Sequence, residues 1–217
     1  MSQETHPEHP LFARIYDPVM AIPERTLLEK HREYVCGGLT GDVLDIGAGT
    51  GAMFPYFEQT GDVSVTAIEP DPYMRRRAEQ RTTQCDVDIT VIDAGADSIP
   101  LPDNSVDAVA ACFVFCTIPD VDAALDELAR VLRSGGEFRF VEHVRGSGVF
   151  GCTHDLLAPG WYHAAGGCNL NRNTGKRLYQ DDRFELTEFQ RFESGLGRVV
   201  PIIRGRLERR RDSWFKK

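Results

Sequence analysis

A chain of 217 residues, 41% of them hydrophobic, suffices for one substantial core and falls in the size range of a single large domain. Its net charge of −8 excludes binding that depends on a basic surface neutralising phosphates, so no nucleic-acid partner is expected. No apolar run approaches the roughly 20 residues of a membrane span, and Met1 to Pro10 is polar, which points to a cytoplasmic protein without stable membrane insertion.

From Leu11 to Gly37 apolar residues recur at helical spacing, with Pro18 and Pro23 expected to divide the segment into two or three short helices, an N-terminal cap over residues 1–38. Val43 to Ile46 is a short strand, followed by a glycine turn and a helix over Thr50 to Glu58. Val63 to Ile68 is a second strand, and Asp71 to Arg81 a helix with an N-cap Asp and Pro72 behind it. Asp88 to Ile92 and the apolar Val106 to Val114 give strands three and four. Between Asp120 and Leu132 one helical face is apolar, and Gly135-Gly136 is expected to supply its left-handed cap. Phe138 to Val144 is strand five. Gly146 to Gly175 is less regular and reads as an insert, over 146–180, facing a ligand. Phe184 to Phe192 and Val199 to Leu207 form an antiparallel pair joined by Gly195-Leu196-Gly197. The basic stretch from Arg204 to Lys217 reads as a solvated helix or tail. This alternation predicts an α/β, Rossmann-like, doubly wound seven-stranded sheet, mostly parallel with an antiparallel C-terminal strand, in one domain over 1–217.

The turn Asp45-Ile46-Gly47-Ala48-Gly49-Thr50-Gly51 removes side chains where a ligand must approach the backbone. Glu69 follows at the end of strand two, about twenty residues on, where a carboxylate accepts hydrogen bonds from ribose hydroxyls. Both features are shared with dinucleotide enzymes, but the Tyr-x-x-x-Lys pair that would support an NAD(P)-dependent oxidoreductase is missing. A non-catalytic binding protein of the same fold is the other alternative. The full series adds Asp103-Asn104-Ser105-Val106-Asp107 before strand four and Ala129-Arg130-Val131-Leu132-Arg133-Ser134-Gly135-Gly136 before strand five. With these, the chain resembles the class I S-adenosylmethionine-dependent methyltransferases over roughly residues 11 to 207.

The resemblance implies that Asp45 orients the methionine ammonium, that Gly47, Gly49 and Gly51 let the methionine portion lie on the backbone, and that Glu69 holds the ribose. Pro70 and Met74 would pack near the adenine. Tyr16 would close over the cofactor, and Phe113 joins the cofactor-binding residues. The loop Asp93-Ala94-Gly95-Ala96-Asp97 has Gly95 where relatives usually carry Asp, so adenine contact is expected through the backbone of Gly95 and Ala96 with Asp97 nearby. Asp45, Glu69 and Met74 also have simpler readings as a turn cap, a helix cap and a core residue.

A narrower resemblance rests on Glu142-His143 and on Gly166-Gly167-Cys168-Asn169-Leu170-Asn171-Arg172. It points to the methyltransferase-like group that includes alkyl thiol methyltransferases, near the ubiquinone/menaquinone C-methyltransferases and the phospholipid N-methyltransferases. The hydrophobic N-terminal anchor of some members is missing from this sequence. The implied partner is a small, fairly apolar methyl acceptor: a thiol, a quinol-like phenol or a ring carbon. Phe113, Phe115, Trp161 and Tyr162 are expected to wall its pocket. His143, at the end of strand five, is the candidate general base; its alternative is to hydrogen-bond the following loop. Cys152, His154, His163 and Cys168 lack regular ligand spacing, so no metal is assigned, and the six scattered cysteines read as reduced thiols.

Overall fold

The computed structural model describes residues 8–23, 27–59, 61–193 and 199–211. Seven strands, β1 (Gly41–Ile46), β2 (Val63–Ile68), β3 (Asp88–Ile92), β4 (Val106–Cys112), β5 (Leu132–His143), β6 (Phe184–Phe192) and β7 (Ile202–Arg209), form one sheet in the order β3-β2-β1-β4-β5-β7-β6. β7 runs antiparallel to both of its neighbours, and every other pairing is parallel. The chain reverses its direction of travel across the sheet between β1 and β4, so their C-terminal ends flank the crevice where open α/β sheets take ligands.

Alternation along the strands divides the core in two. Leu44, Ile46, Val109, Ala111, Phe138 and Phe140 point to one face and pack with the buried stripe Val121, Ala124, Leu125, Leu128 and Val131 of α5 (Val121–Val131). Val43, Val65, Ala67, Ala108, Ala110 and Val141 point to the other face, covered by α2 (Glu29–Cys36) and the short α3 (Phe54–Phe57). Helix starts follow the expected chemistry. Asp71 caps α4 (Pro72–Thr82) through Tyr73 and Met74 N–H, and Asp120 caps α5 through Asp122 and Ala123 N–H.

Five local expectations are corrected. α1 (Pro10–Pro23) runs through Pro18 without interruption, because tertiary contacts of the same turn hold it: Asp17 reaches Thr50, Arg77 and Arg81. The helix expected from Thr50 is only Phe54–Phe57; Thr50 to Met53 are turns. Gly135 does not cap α5. The helix passes directly into β5 at Leu132, and Gly135, at φ 79°, lies where pairing jumps from Val106↔Leu132 to Ala108↔Glu137. A Cβ on Gly136 would sit 2.8 Å from the Asp107 carbonyl oxygen, so this bulge needs glycine for close approach. The segment expected to be irregular after Gly146 is mostly α6 (Gly148–Ala164), followed by α7 (Thr174–Tyr179). Finally, the described part of the basic stretch is largely strand β7, not a solvated helix: Arg204 stacks 4.4 Å from the Tyr34 ring centroid, and Arg209 donates to Asn104 and to the Leu132 carbonyl. The Gly195-Leu196-Gly197 loop lies outside the described residues, as do 1–7 and 212–217.

Candidate active site

The crevice is built around the turn after β1. Gly47, Gly49 and Gly51 all have positive φ, but their missing side chains do different work. A Cβ on Gly47 would strike Val114 at 2.1 Å, and one on Gly51 would meet the Phe54 ring at 2.7 Å, so these two allow close packing of the turn. At Gly49 nothing lies nearer than the Gly47 carbonyl at 3.9 Å, and that position faces open space.

Two buried carboxyls face this turn. Glu69 accepts the Gly49 N–H through Oε2 at 2.8 Å and the Asp71 N–H through Oε1 at 2.9 Å. Each oxygen has a second lone-pair direction left for a ligand hydroxyl. Burial pushes Glu69 up to about 7 against the pull of those two backbone donors. Asp45, 1% exposed, is likewise raised to about 7 by burial, opposed by Arg32, and its Oδ2 has no hydrogen-bond partner. A buried orphan acceptor of this kind awaits a cationic or donor ligand.

Arg75 ties the rim together, donating to the Glu69 and Pro70 carbonyls and to Asp93 at 2.8 Å, which joins the β2 end to the loop after β3. Met74 and Ala96 are buried beside this rim, and Gly95 accepts from the Ser98 N–H. Asp97 is half-buried in the same loop. α1 roofs the crevice. Asp17 accepts from the Thr50 hydroxyl at 2.7 Å, the His9 N–H reaches Asp71, and Tyr16 lies edge-on to Phe12 at 5.4 Å. A Cβ on Gly166 would lie 2.7 Å from the Phe12 ring, so the same helix also touches the segment after α6.

On the β4–β5 side, Phe113 takes a left-handed φ of 56° and donates its N–H to Val141, turning the chain so that Val114 and Phe115 N–H both reach Glu142 Oε1 at 2.8 and 2.9 Å. Phe115 does not wall a pocket; it is fully buried in the core, 5.8 Å from Phe138. Trp161 and Tyr162 stay half-exposed near the end of α6.

His143 Nε2 lies 3.0 Å from Cys168 Sγ, and Trp161 Nε1–H donates to the same sulfur at 3.3 Å. Cys116 completes this group. The Cys116 thiol and then the His143 imidazole hold Cys168 well below the usual thiol range, whereas Cys116 is pushed up by its bond to Cys168 and by burial. Burial lowers His143, but Cys168 outweighs it and the net shift is upward. The sequence reading missed Cys116. Only the register brings it to His143: β4 and β5 are parallel neighbours paired through Cys112↔Val141, so residues just past both ends meet. The four residues weighed as metal ligands do not form a set, since His154 uses Nδ1 for the Gly146 N–H and Nε2 for the Val199 carbonyl while Cys152 is exposed.

A parallel sheet with its last-made strand inserted antiparallel, a glycine turn after β1 and a buried carboxylate closing β2 define the class I methyltransferase architecture. The family described as methyltransferase domain matches residues 44–140. Human thiol S-methyltransferase TMT1A is 33% identical over 178 residues, covering 77% of this chain and 70% of its own. The Shewanella putrefaciens ubiquinone/menaquinone biosynthesis C-methyltransferase UbiE is 29% identical over 59% of this chain and 53% of its own length. Among solved structures, geranyl diphosphate C-methyltransferase from Streptomyces coelicolor, in complex with S-adenosyl-L-homocysteine, superimposes with a TM-score of 0.67 at 12% identity, covering 83% of this chain and 76% of that one. The chain belongs to the class I methyltransferase family, and its cofactor is S-adenosylmethionine. The crevice suits that cofactor: an orphan buried carboxyl for an ammonium, open space at Gly49 and a half-engaged carboxylate for a ribose. No helix among the described residues is long and apolar enough to cross a membrane.

Proposed function

We propose that this chain methylates the sulfur of a small, apolar thiol. The observation carrying this reading is the His143–Cys168–Cys116 group at the sheet edge beside the cofactor turn, in a chain one-third identical to a thiol S-methyltransferase. S-adenosylmethionine, when bound, supplies a methyl already activated by the sulfonium charge, so the protein has chiefly to align an acceptor and exclude water.

Asp45 would take the ammonium and Glu69 the ribose hydroxyls; Gly47, Gly49 and Gly51 would carry the methionine portion, with Gly47 and Gly51 acting through turn packing. Pro70, Met74, Gly95, Ala96 and Asp97 would border the adenine, and Tyr16 and Phe113 would close the crevice from opposite sides. The acceptor would enter past Trp161 and Tyr162, on the insert over 146–180. A thiol needs little help in losing its proton near neutral pH, and His143 is the group at that edge that governs the loss. Quinol-type phenols form the second acceptor class, on the likeness to UbiE.

The test is turnover of alkyl thiols, quinol-like phenols and amines, read as released S-adenosylhomocysteine. Thiols should be preferred, and His143→Gln should lower turnover by about a hundredfold or more with cofactor affinity unchanged. Activity confined to RNA or protein would overturn this reading. Thiol turnover unaffected by His143→Gln would remove histidine from the mechanism.

A further inference from the structure

Three elements that are far apart in sequence converge at the cluster beyond β4 and β5. Cys116 comes from the turn after β4, His143 from the last position of β5 and Cys168 from the loop after α6. Their Sγ, Nε2 and Sγ atoms all lie within 4.8 Å of one another, and the three residues are 2%, 9% and 8% exposed. Burying two thiols and an imidazole together, with the Nδ1 of that imidazole unpartnered, gains little as packing.

We propose that Cys116, His143 and Cys168 bind a zinc-class divalent ion whose fourth position is left open for the sulfur of a thiol ligand. Two sulfurs and one imidazole are a soft, nitrogen-containing donor set that selects zinc over magnesium or calcium. Three protein ligands with one place free is the arrangement of catalytic rather than structural zinc sites. Around such an ion, at about 2.3 Å to sulfur and 2.0 Å to nitrogen, ligand atoms stand roughly 3.5 Å apart. The 3.0 Å His143–Cys168 contact therefore opens slightly, and the separations of up to 4.8 Å close by about an ångström.

The surroundings are built to hold these ligands. Trp161 Nε1–H steadies the Cys168 sulfur, the Asn169 N–H and side-chain amide both donate to the Cys116 carbonyl, and Arg172 donates to the Phe115 and Ile118 carbonyls on either side of Cys116. The cluster also adjoins the cofactor turn, since Val114, two residues before Cys116, fills the space a Gly47 side chain would need. A thiol R–SH entering the fourth position replaces water on the ion and, since His143 Nε2 is engaged by the ion, gives its proton to the buffer, His143 acting on that loss through the ion it holds; nothing is oxidised or reduced. The choice of sulfur as fourth ligand rests on the thiol-acceptor reading above, whereas the three-ligand site does not.

Purified full-length chain, stripped with a chelator and dialysed against Co²⁺ as a spectroscopic stand-in, tests this. We expect one ion per chain, a thiolate-to-cobalt charge-transfer band and the intense visible bands of tetrahedral cobalt. Cys116→Ser and Cys168→Ser should each weaken binding by a hundredfold or more while still binding S-adenosylhomocysteine, which shows they are folded; exposed Cys152→Ser should bind like the parent. Butanethiol should shift the cobalt bands. Less than a tenth of an ion per parent chain, a weak octahedral spectrum, or full binding by Cys168→Ser overturns the site. Bands indifferent to butanethiol overturn the sulfur assignment of the fourth position. A chain that binds Co²⁺ and butanethiol as expected but methylates no thiol refutes the thiol-acceptor reading and leaves the site standing.

Discussion

Replacing Glu69 by glutamine probes the crevice with a change of one heavy atom. The native carboxylate has one backbone donor on each oxygen, Gly49 N–H at 2.8 Å and Asp71 N–H at 2.9 Å, leaving one lone-pair direction per oxygen for the two ribose hydroxyls it is proposed to hold. Glutamine keeps one acceptor oxygen and sets an NH₂ against a backbone N–H and against one hydroxyl. The NH₂ clashes with the backbone N–H, its bond to one hydroxyl survives only with donor and acceptor exchanged, and the other bond changes from charge-assisted to neutral, a loss on the order of 2 to 4 kcal/mol, or about 30- to 1,000-fold in affinity. Isothermal titration with S-adenosylhomocysteine at pH 8 measures it. The pH matters because burial holds Glu69 at about 7. If the ligand requires the ionised form, native affinity should fall about tenfold per group between pH 8 and pH 6, at about 1.4 kcal/mol per pH unit below the pKa. In Glu69→Gln the Glu69 share of that pH dependence should vanish, leaving the share of Asp45. Equal affinities for the two proteins, or an unchanged pH slope, would refute the assignment of this carboxylate to the cofactor.

Gly49→Val should abolish S-adenosylhomocysteine binding in a folded chain, because its Cβ enters space that is open in the protein itself; circular dichroism checks the fold, and normal binding would contradict the role of the turn. Gly47→Val should instead destabilise the chain, as its Cβ would meet Val114 at 2.1 Å, lowering the midpoint of thermal unfolding. Leu128→Ala, at a fully buried position on α5, should cost about 2 to 5 kcal/mol and lower the melting temperature by roughly 5 to 15 °C. Asp45 and Glu69 are held at about 7, above their ordinary 3.8 and 4.5. The folded chain thus holds more protons than the unfolded one between those limits, and the stability they contribute falls as pH rises from about 4.5 through 7. Glu142, also raised to about 7 by burial, and His143, raised on balance by Cys168 and Glu142, act in the same direction, whereas His31, lowered by burial and by Arg204, and Cys168, lowered by Cys116 and His143, oppose it; the three buried carboxyls outweigh the opposing pair. The melting temperature without cofactor should therefore be higher at pH 5.5 than at pH 8, and excess S-adenosylhomocysteine should flatten or reverse the trend; a steady rise with pH in its absence would contradict the burial of these carboxyls.

The elements legible in the sequence are those whose side chains report which way they face. β2, β3 and β6 have their observed limits because branched and aromatic residues end at turn formers, and α5 because its apolar residues follow the helical period onto one core face. α6 was hidden for the opposite reason. Only Gly151 and His154 of its 17 residues are buried, so no apolar stripe marks the period, and Gly148, Gly151, Pro159 and Gly160 argue locally against a helix. Pro18 misled in the same sense, since a local penalty was overridden by Asp17 and its partners in the crevice. Around the crevice, the grouping of Asp45, Gly49 and Glu69 is legible because their motif is local. That of Cys116 is not, because its partners lie 27 and 52 residues further along the chain and meet it only through strand register.

The insertion of β7 between β5 and β6 has a consequence for synthesis. β6 leaves the ribosome before the strand that attaches it to the sheet, and until β7 follows, the long β5 presents an unpaired edge from Glu137 to His143. During that interval β5 and β6 both expose edges that only β7 fills, a situation that favours edge-to-edge association between neighbouring chains. Late docking of β7, reached across residues 193–201, therefore bears on yield, and refolding at high chain concentration should raise aggregation while leaving the finished protein unaltered.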